Sequence, residues 1–193
     1  DKKFKGGIDA MQLFNQTSDF LSFNKKDIFK KKDKNKKTKV LIAAPCFTDA
    51  PHSYGRNLFN DFYEWLDFIG KISKITNYEW LIKLHPAHYD RNELAMKKFE
   101  TKYNKFKFLP KYTTHNKIIS NNISTVLTVY GSIAHEYPLF GIPVINSSVN
   151  NPHIAYSFSM HPKNKNELRN LLLNLDKLKI KNFNKIKKEI YEY

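Results

Sequence analysis

Val126-Leu-Thr-Val-Tyr-Gly-Ser-Ile-Ala-His-Glu-Tyr-Pro-Leu-Phe-Gly-Ile-Pro-Val-Ile145 is the stretch whose reading decides the fold. The apolar run up to Tyr130 has the length of a buried strand, and Gly131 marks a turn. A short helix follows, Gly141 stops it, and a second buried strand occupies 143–145. Ser132 stands at the expected N-cap and Gly141 at the expected C-terminal stop. Glu136 comes four residues after Ser132 and belongs to the same helical face, one turn deeper. A helix start at the carboxyl end of a parallel strand aims backbone N–H groups and a dipole at an anion. A carboxylate one turn further in accepts hydrogen bonds from sugar hydroxyls. The segment reads as a pocket for a nucleotide, with its phosphates and its ribose.

Upstream, Tyr78-Glu-Trp-Leu-Ile-Lys-Leu-His-Pro86 is another buried strand. Proline holds the residue before it in extended backbone, so the strand is expected to run up to His85 and stop there. Lys83 and His85 are two apart and leave a strand from the same face. In an open parallel sheet, ligands bind in the crevice beyond the carboxyl ends of the strands. A lysine and a histidine at such an end suit a phosphate or a developing phosphate leaving group. The bland reading of His85 is a hydrogen-bonded cap on the strand.

Strands and helices alternate around these two segments. Strands are expected at 39–44, 79–84, 106–109, 125–130 and 143–145. Helices are expected over 58–75, 91–103, near 115–120, and over 132–140, 166–175 and 183–191. The helix over 58–75 is amphipathic through Phe59, Phe62, Trp65, Leu66 and Ile69. The fold class is α/β: a Rossmann-like parallel sheet flanked by helices, with right-handed crossovers. Residues 1–38 read as an N-terminal segment and lysine-rich linker, and residues 39–193 as the Rossmann-like domain.

A chain of 193 residues has room for one such domain with a proper core. No apolar run approaches the roughly 18 residues of a membrane span, and the start does not resemble a signal peptide. Cys46 is the single cysteine, which excludes an intramolecular disulfide and a multi-cysteine metal site. A reducing, cytoplasmic setting is expected, and the start at Asp1 suits the carboxyl-terminal part of a longer protein. The formal charge of +15 is concentrated in 25–39 and 177–188 and comes almost wholly from lysine. Base readout and bidentate phosphate gripping favour arginine, present here as Arg56, Arg91 and Arg169, so no nucleic-acid partner is expected. The lysines read as a solvated surface and linker. If they do act, the expected contact is peripheral, with the anionic inner face of the cytoplasmic membrane.

The loop Pro45-Cys-Phe-Thr-Asp-Ala-Pro-His-Ser-Tyr-Gly-Arg-Asn57 is long for a strand-to-helix connection, and such loops often carry function. Asp49 is a candidate general base for an acceptor hydroxyl, and His52 a candidate for the same work or for holding phosphate. Arg56 and Asn57 are phosphate-seeking side chains in the same loop. An ordinary surface loop is the competing reading. His115 is either the cap of an apolar helix or another group at the ligand edge. His135 lies on a different helical face from Glu136, and His153 and His161 have no neighbour at recognisable spacing. His85 and His88 lack further ligands, so no metal site is expected. Neither a Walker loop nor G-x-G-x-x-G is present, and no cofactor is expected.

The set Lys83-Leu-His-Pro86, a helix near His115, Thr128-Val-Tyr-Gly-Ser-Ile-Ala-His-Glu136 and Phe140-Gly-Ile-Pro-Val144 resembles the carboxyl-terminal domain of GT-B glycosyltransferases. The resemblance is to the capsule and surface polysaccharide group: Kdo transferases, polysialyltransferases and teichoic-acid polyol-phosphate transferases. It covers about residues 39–160. It implies one half of a GT-B fold that binds a nucleotide-sugar donor linked through CMP, CDP or UDP. The acceptor would be a glycan or glycolipid, and transfer would be metal-independent. By the same resemblance His85 approaches the donor phosphate, Gly131 and Ser132 present donors to phosphate, and Glu136 binds ribose. The catalytic base usually sits in the amino-terminal domain, which this chain is expected to lack. Catalytic work thus falls to His85 and Lys83, with Asp49 as the base candidate. Donor binding falls to Gly131, Ser132, Glu136, Arg56, Asn57 and His115. The alternatives are a CDP-polyol phosphotransferase, a nucleotide-sugar 2-epimerase-like domain, and a non-catalytic nucleotide- or glycan-binding domain.

Overall fold

Lys39-Val-Leu-Ile-Ala43 is apolar at consecutive positions because both of its faces are covered. It is β1 (Lys39–Ala43) of a five-stranded sheet completed by β2 (Glu79–Lys83), β3 (Phe106–Phe108), β4 (Thr125–Thr128) and β5 (Val144–Asn146). All neighbours run parallel, in the order β3-β2-β1-β4-β5. This computed structural model describes residues 37–47, 49–85, 89–110 and 113–193. The expectations for segment 1–36, Pro86 and His88 lie outside the described residues.

Alternation along the strands sends residues to two cores. Val40, Ile42, Trp80, Ile82, Leu127 and Ile145 face one side. There they meet α1 (Phe62–Lys74), α2 (Tyr89–Lys102) and α5 (Lys165–Leu173), through Trp65, Leu66, Ile69, Phe99, Leu168 and Leu172. Leu41, Leu81, Val126 and Val144 face the other side. They are covered from α3 (His115–Ser120), α4 (Ile133–Glu136) and the 3-10 turn Tyr137–Phe140, through Ile118, Ile119, Ile133, Ala134, Tyr137 and Phe140. The last helix, α6 (Phe183–Glu192), buries Ile186 and packs beside that 3-10 turn. Three layers, helix on sheet on helix, result.

The strands expected to run to His85 and to Tyr130 end at Lys83 and Thr128, and among the shifted boundaries two have clear local reasons. The first helix starts at Phe62 rather than 58, because Asp61 is extended (φ −150°) and its carboxylate accepts the Glu64 N–H at 2.7 Å. The helix expected over 132–140 is one α turn followed by the 3-10 turn, with Pro138 at the start of the latter. Gly141 ends it in the left-handed region (φ 73°), and its N–H donates to Pro138 O at 3.0 Å.

Helix α1 approaches α2 through Gly70, which lies against the ring of Tyr103 just past the end of α2. A Cβ added there would fall 2.5 Å from that ring. The ring has little freedom to retreat, since its hydroxyl donates to Asp67 Oδ1 at 2.8 Å. Gly70→Ala is therefore expected to destabilise the fold by about 1–3 kcal/mol through overpacking. Urea titration should show it as a lowered midpoint at unchanged slope. In a Tyr103→Leu background, where the ring is gone, the increment should shrink markedly.

Candidate functional site

The chain lays β2 and β3 on one side of β1, then crosses and lays β4 and β5 on the other. Beyond the carboxyl ends of β1 and β4 the connections diverge, and a crevice opens at this reversal. A cavity of about 230 Å³ occupies it. Ala43–Cys46 and Asp49 form its wall after β1, Lys83–His85 after β2, and 128–133 after β4, while His115 and Glu136 close the remaining side.

Seven of the nine expected site residues thus share one cavity: His85, Lys83, Asp49, Gly131, Ser132, Glu136 and His115. Lys83 and Glu136 are buried there, at 6% and 2% exposure. Burial pulls the Lys83 ammonium down to about 8, because a charged amine is disfavoured away from water. His85 is half-buried and Asp49 exposed at the rim.

Ser132 stands at the N-cap position, as expected, but does not cap through its side chain. Its backbone is already helical (φ −55°, ψ −26°) and its hydroxyl makes no capping bond, so it sits exposed on the cavity wall rather than closing the helix. With four residues, α4 aligns few peptides, and the dipole argument carries correspondingly little. Gly131 is required by a close approach: a Cβ there would meet Thr128 Oγ1 at 2.8 Å.

His115 starts α3, whose N-cap is Thr114, so the cap reading of His115 gives way to the ligand-edge one. Its Nδ1 lies 3.0 Å from the Tyr137 hydroxyl. Tyr137 is fully buried, and burial, followed by the charge of Glu136, pushes its phenol well above the ordinary range. A neutral phenol thereby backs the imidazole on the cavity wall.

Arg56 and Asn57 do not line this cavity. Asn57 is engaged locally, accepting the Leu58 N–H at 2.9 Å and donating to Pro51 O at 3.4 Å. Arg56 is exposed, and its carbonyl accepts from the Asn150 amide. His52 also ties the loop together. Its Nδ1 accepts the Asn57 N–H at 3.2 Å and its Nε2 meets Asn60 O at 3.1 Å, which places the ring proton on Nε2. His135 and His153 face each other in an aromatic nest with Phe158 and Tyr193.

Tyr130 is a wall residue that the sequence did not single out. Its φ of 41° is left-handed, unusual for a bulky residue, and its ring packs edge-on against Tyr54 and Phe62. Burial, then the charges of Asp49 and Tyr54, push its phenol up to about 12. Cys46 is a second such residue, buried on the β1 side of the cavity. Among the described residues no group of three His, Cys, Asp or Glu side chains is arranged to hold a metal ion, and no helix is long and apolar enough to cross a membrane.

No protein-family model and no curated protein matches this chain. Among solved structures, it is similar to the crystal structure of Methanocaldococcus jannaschii UDP-GlcNAc 2-epimerase in complex with UDP-GlcNAc and UDP. The likeness has a TM-score of 0.53 at 16% identity and covers 81% of this chain and 44% of that one. This chain therefore spans less than half the length of that enzyme. What is shared is the fold, a Rossmann-like parallel sheet flanked by helices.

Proposed function

We propose that this chain is the nucleotide-sugar-binding half of a glycosyltransferase of bacterial capsule or surface polysaccharide synthesis. The observation that carries the reading is the convergence of Lys83, His85, Ser132, Glu136 and His115 on one cavity at the sheet's reversal point. In this reading Lys83 and His85 meet the donor phosphates, Gly131 and Ser132 add hydrogen-bond donors, and Glu136 accepts from the ribose hydroxyls. An acceptor hydroxyl attacks the anomeric carbon and the bond to the phosphate oxygen breaks. The leaving nucleotide carries the new charge into preorganised donors, which stabilise it as a metal ion would. The acceptor proton goes to a base, either Asp49 at the rim or a group from the half of the fold that lies beyond this chain. Glycan or glycolipid acceptors and an anionic membrane surface belong to the same proposal.

The solved-structure likeness favours a second reading, a nucleotide-sugar 2-epimerase-like domain. The two readings share a donor pocket and part at the product. A transferase releases free nucleotide when acceptor is present, whereas an epimerase returns a nucleotide sugar changed at C2.

Calorimetric titration with CMP, CDP, UDP and GDP is expected to show one nucleotide binding selectively. His85→Ala and Glu136→Ala should each weaken it at least about tenfold, about 1.4 kcal/mol. Selective CDP binding with CDP-polyol turnover would move the reading to a polyol phosphotransferase, and binding without turnover by the full-length parent would leave a non-catalytic domain. A folded chain that takes up none of the four sinks the donor pocket.

The same titration across pH tests Lys83. The free amine is charged below about 8 and neutral above it, and a phosphate favours the charged form. Affinity should hold up to pH 8 and fall as pH rises beyond it. Lys83→Gln should bind more weakly and lose that part of the dependence.

A further inference from the structure

We propose that Asn146, backed by His153, is a positioning residue for the turn that brings Tyr130, Gly131 and Ser132 to the cavity. The assignment rests on the nucleotide-sugar reading for its purpose and on geometry alone for its mechanism.

Asn146 ends β5 opposite Thr128 and is fully buried. The ladder continues past it, with the Ser147 N–H donating to Thr128 O at 2.8 Å. Its side chain reaches further: Oδ1 accepts the Tyr130 N–H at 2.8 Å. That is the residue whose φ of 41° would otherwise be unfavourable for a large side chain. The other end of the amide, Nδ2, lies 3.3 Å from His153 Nδ1. An amide NH₂ only donates, so Nδ1 must accept and the ring proton belongs on Nε2. Both contacts together set the amide orientation and the histidine tautomer.

His153 is suited to that role. It is buried at 3% exposure, and its own N–H donates to Asn151 Oδ1 at 2.8 Å. Burial, then the neighbouring His135 and His161, lower its pKa to about 4, so the ring stays neutral and able to accept. The ionisable groups facing it are those two histidines and the Tyr193 phenol at the end of α6. A buried relay thus runs from His153 through Asn146 to Tyr130, and ends one residue before Gly131. Asn146 does not line the cavity, so it acts on ligand through the turn alone.

Three variants test this. Asn146→Asp keeps the acceptor for Tyr130 but replaces the donor to His153 with a carboxylate. Ring ¹⁵N NMR near pH 7 should show the Nε2–H tautomer in the wild type and a proton on Nδ1 in Asn146→Asp, with a raised His153 pKa. Asn146→Ala removes both contacts and should weaken binding of UDP, or whichever of the four nucleotides binds, at least tenfold. In a Tyr130→Gly background the same substitution should cost under twofold, because glycine holds a positive φ without help. An Nδ1–H tautomer in the wild type, or an equal loss in both backgrounds, overturns the proposal. If no nucleotide binds the wild type, the nucleotide-sugar reading fails by itself. The His153 tautomer still decides the relay. So does the amide resonance of Ser132, expected to shift with Asn146→Ala in the otherwise wild-type chain but not in the Tyr130→Gly background.

Discussion

The reversal of strand order about β1 is the constraint on which the rest depends. Because β1 takes β2 on one edge and β4 on the other, both in parallel, it is buried on both faces and both edges. The crossovers after β1 and β4 consequently lead to helices on opposite faces. Nothing in the sheet fills the space between their starting points, and three loops converge there. The near-continuous apolar sequences of β1, β2 and β4 follow from the same constraint.

Within that space the chemistry is governed by burial. Lys83 ends a strand that is buried from Trp80 onward and lines the cavity, and its burial lowers the pKa of its ammonium. Glu136 comes from the opposite wall, from a helix turn facing Leu41 and Leu81 across the second core. Charged groups in such a setting interact more strongly than in water. Lys83 and Glu136 bring groups of opposite formal charge to one cavity, and on the proposed reading these would serve the phosphate and the hydroxyls of a nucleotide sugar.

Much of the fold was legible because its signals are local. Each expected strand exists, since apolar runs bounded by helices need no tertiary knowledge to read. The pattern 115–120 appeared as expected, capped by Thr114, and Gly141 ended its turn as glycine does. The order of strands also lets Lys83, His85, Ser132 and Glu136 be placed on one edge. What escaped depends on side chains meeting across the sheet. Nothing adjacent to Tyr130 announces a left-handed residue, because its support, Asn146, is sixteen positions away on another strand. Asn57 and Arg56 have phosphate-seeking chemistry, yet neither lines the cavity: Asn57 bonds to its own loop and the Arg56 side chain is exposed. His115 gained a backing hydroxyl from Tyr137 that only the fold brings near.

The shortness of α4 changes where recognition must reside. A long helix pointing its start at a phosphate would supply attraction from its peptides and tolerate some looseness in the turn. One α turn followed by a 3-10 turn supplies little, because Pro138 and Gly141 end the run within nine residues of Ser132. On the proposed reading, recognition would then depend on individual donors held at definite positions: the Ser132 hydroxyl, the backbone at Gly131, Lys83 and His85. Individual donors are useful only if the backbone carrying them is rigid. The tight fit of Gly131 against Thr128, the left-handed Tyr130 and the ring contacts of Tyr130 with Tyr54 and Phe62 are all restraints of that kind. A weak dipole and a heavily restrained turn are, on this view, two consequences of one short helix.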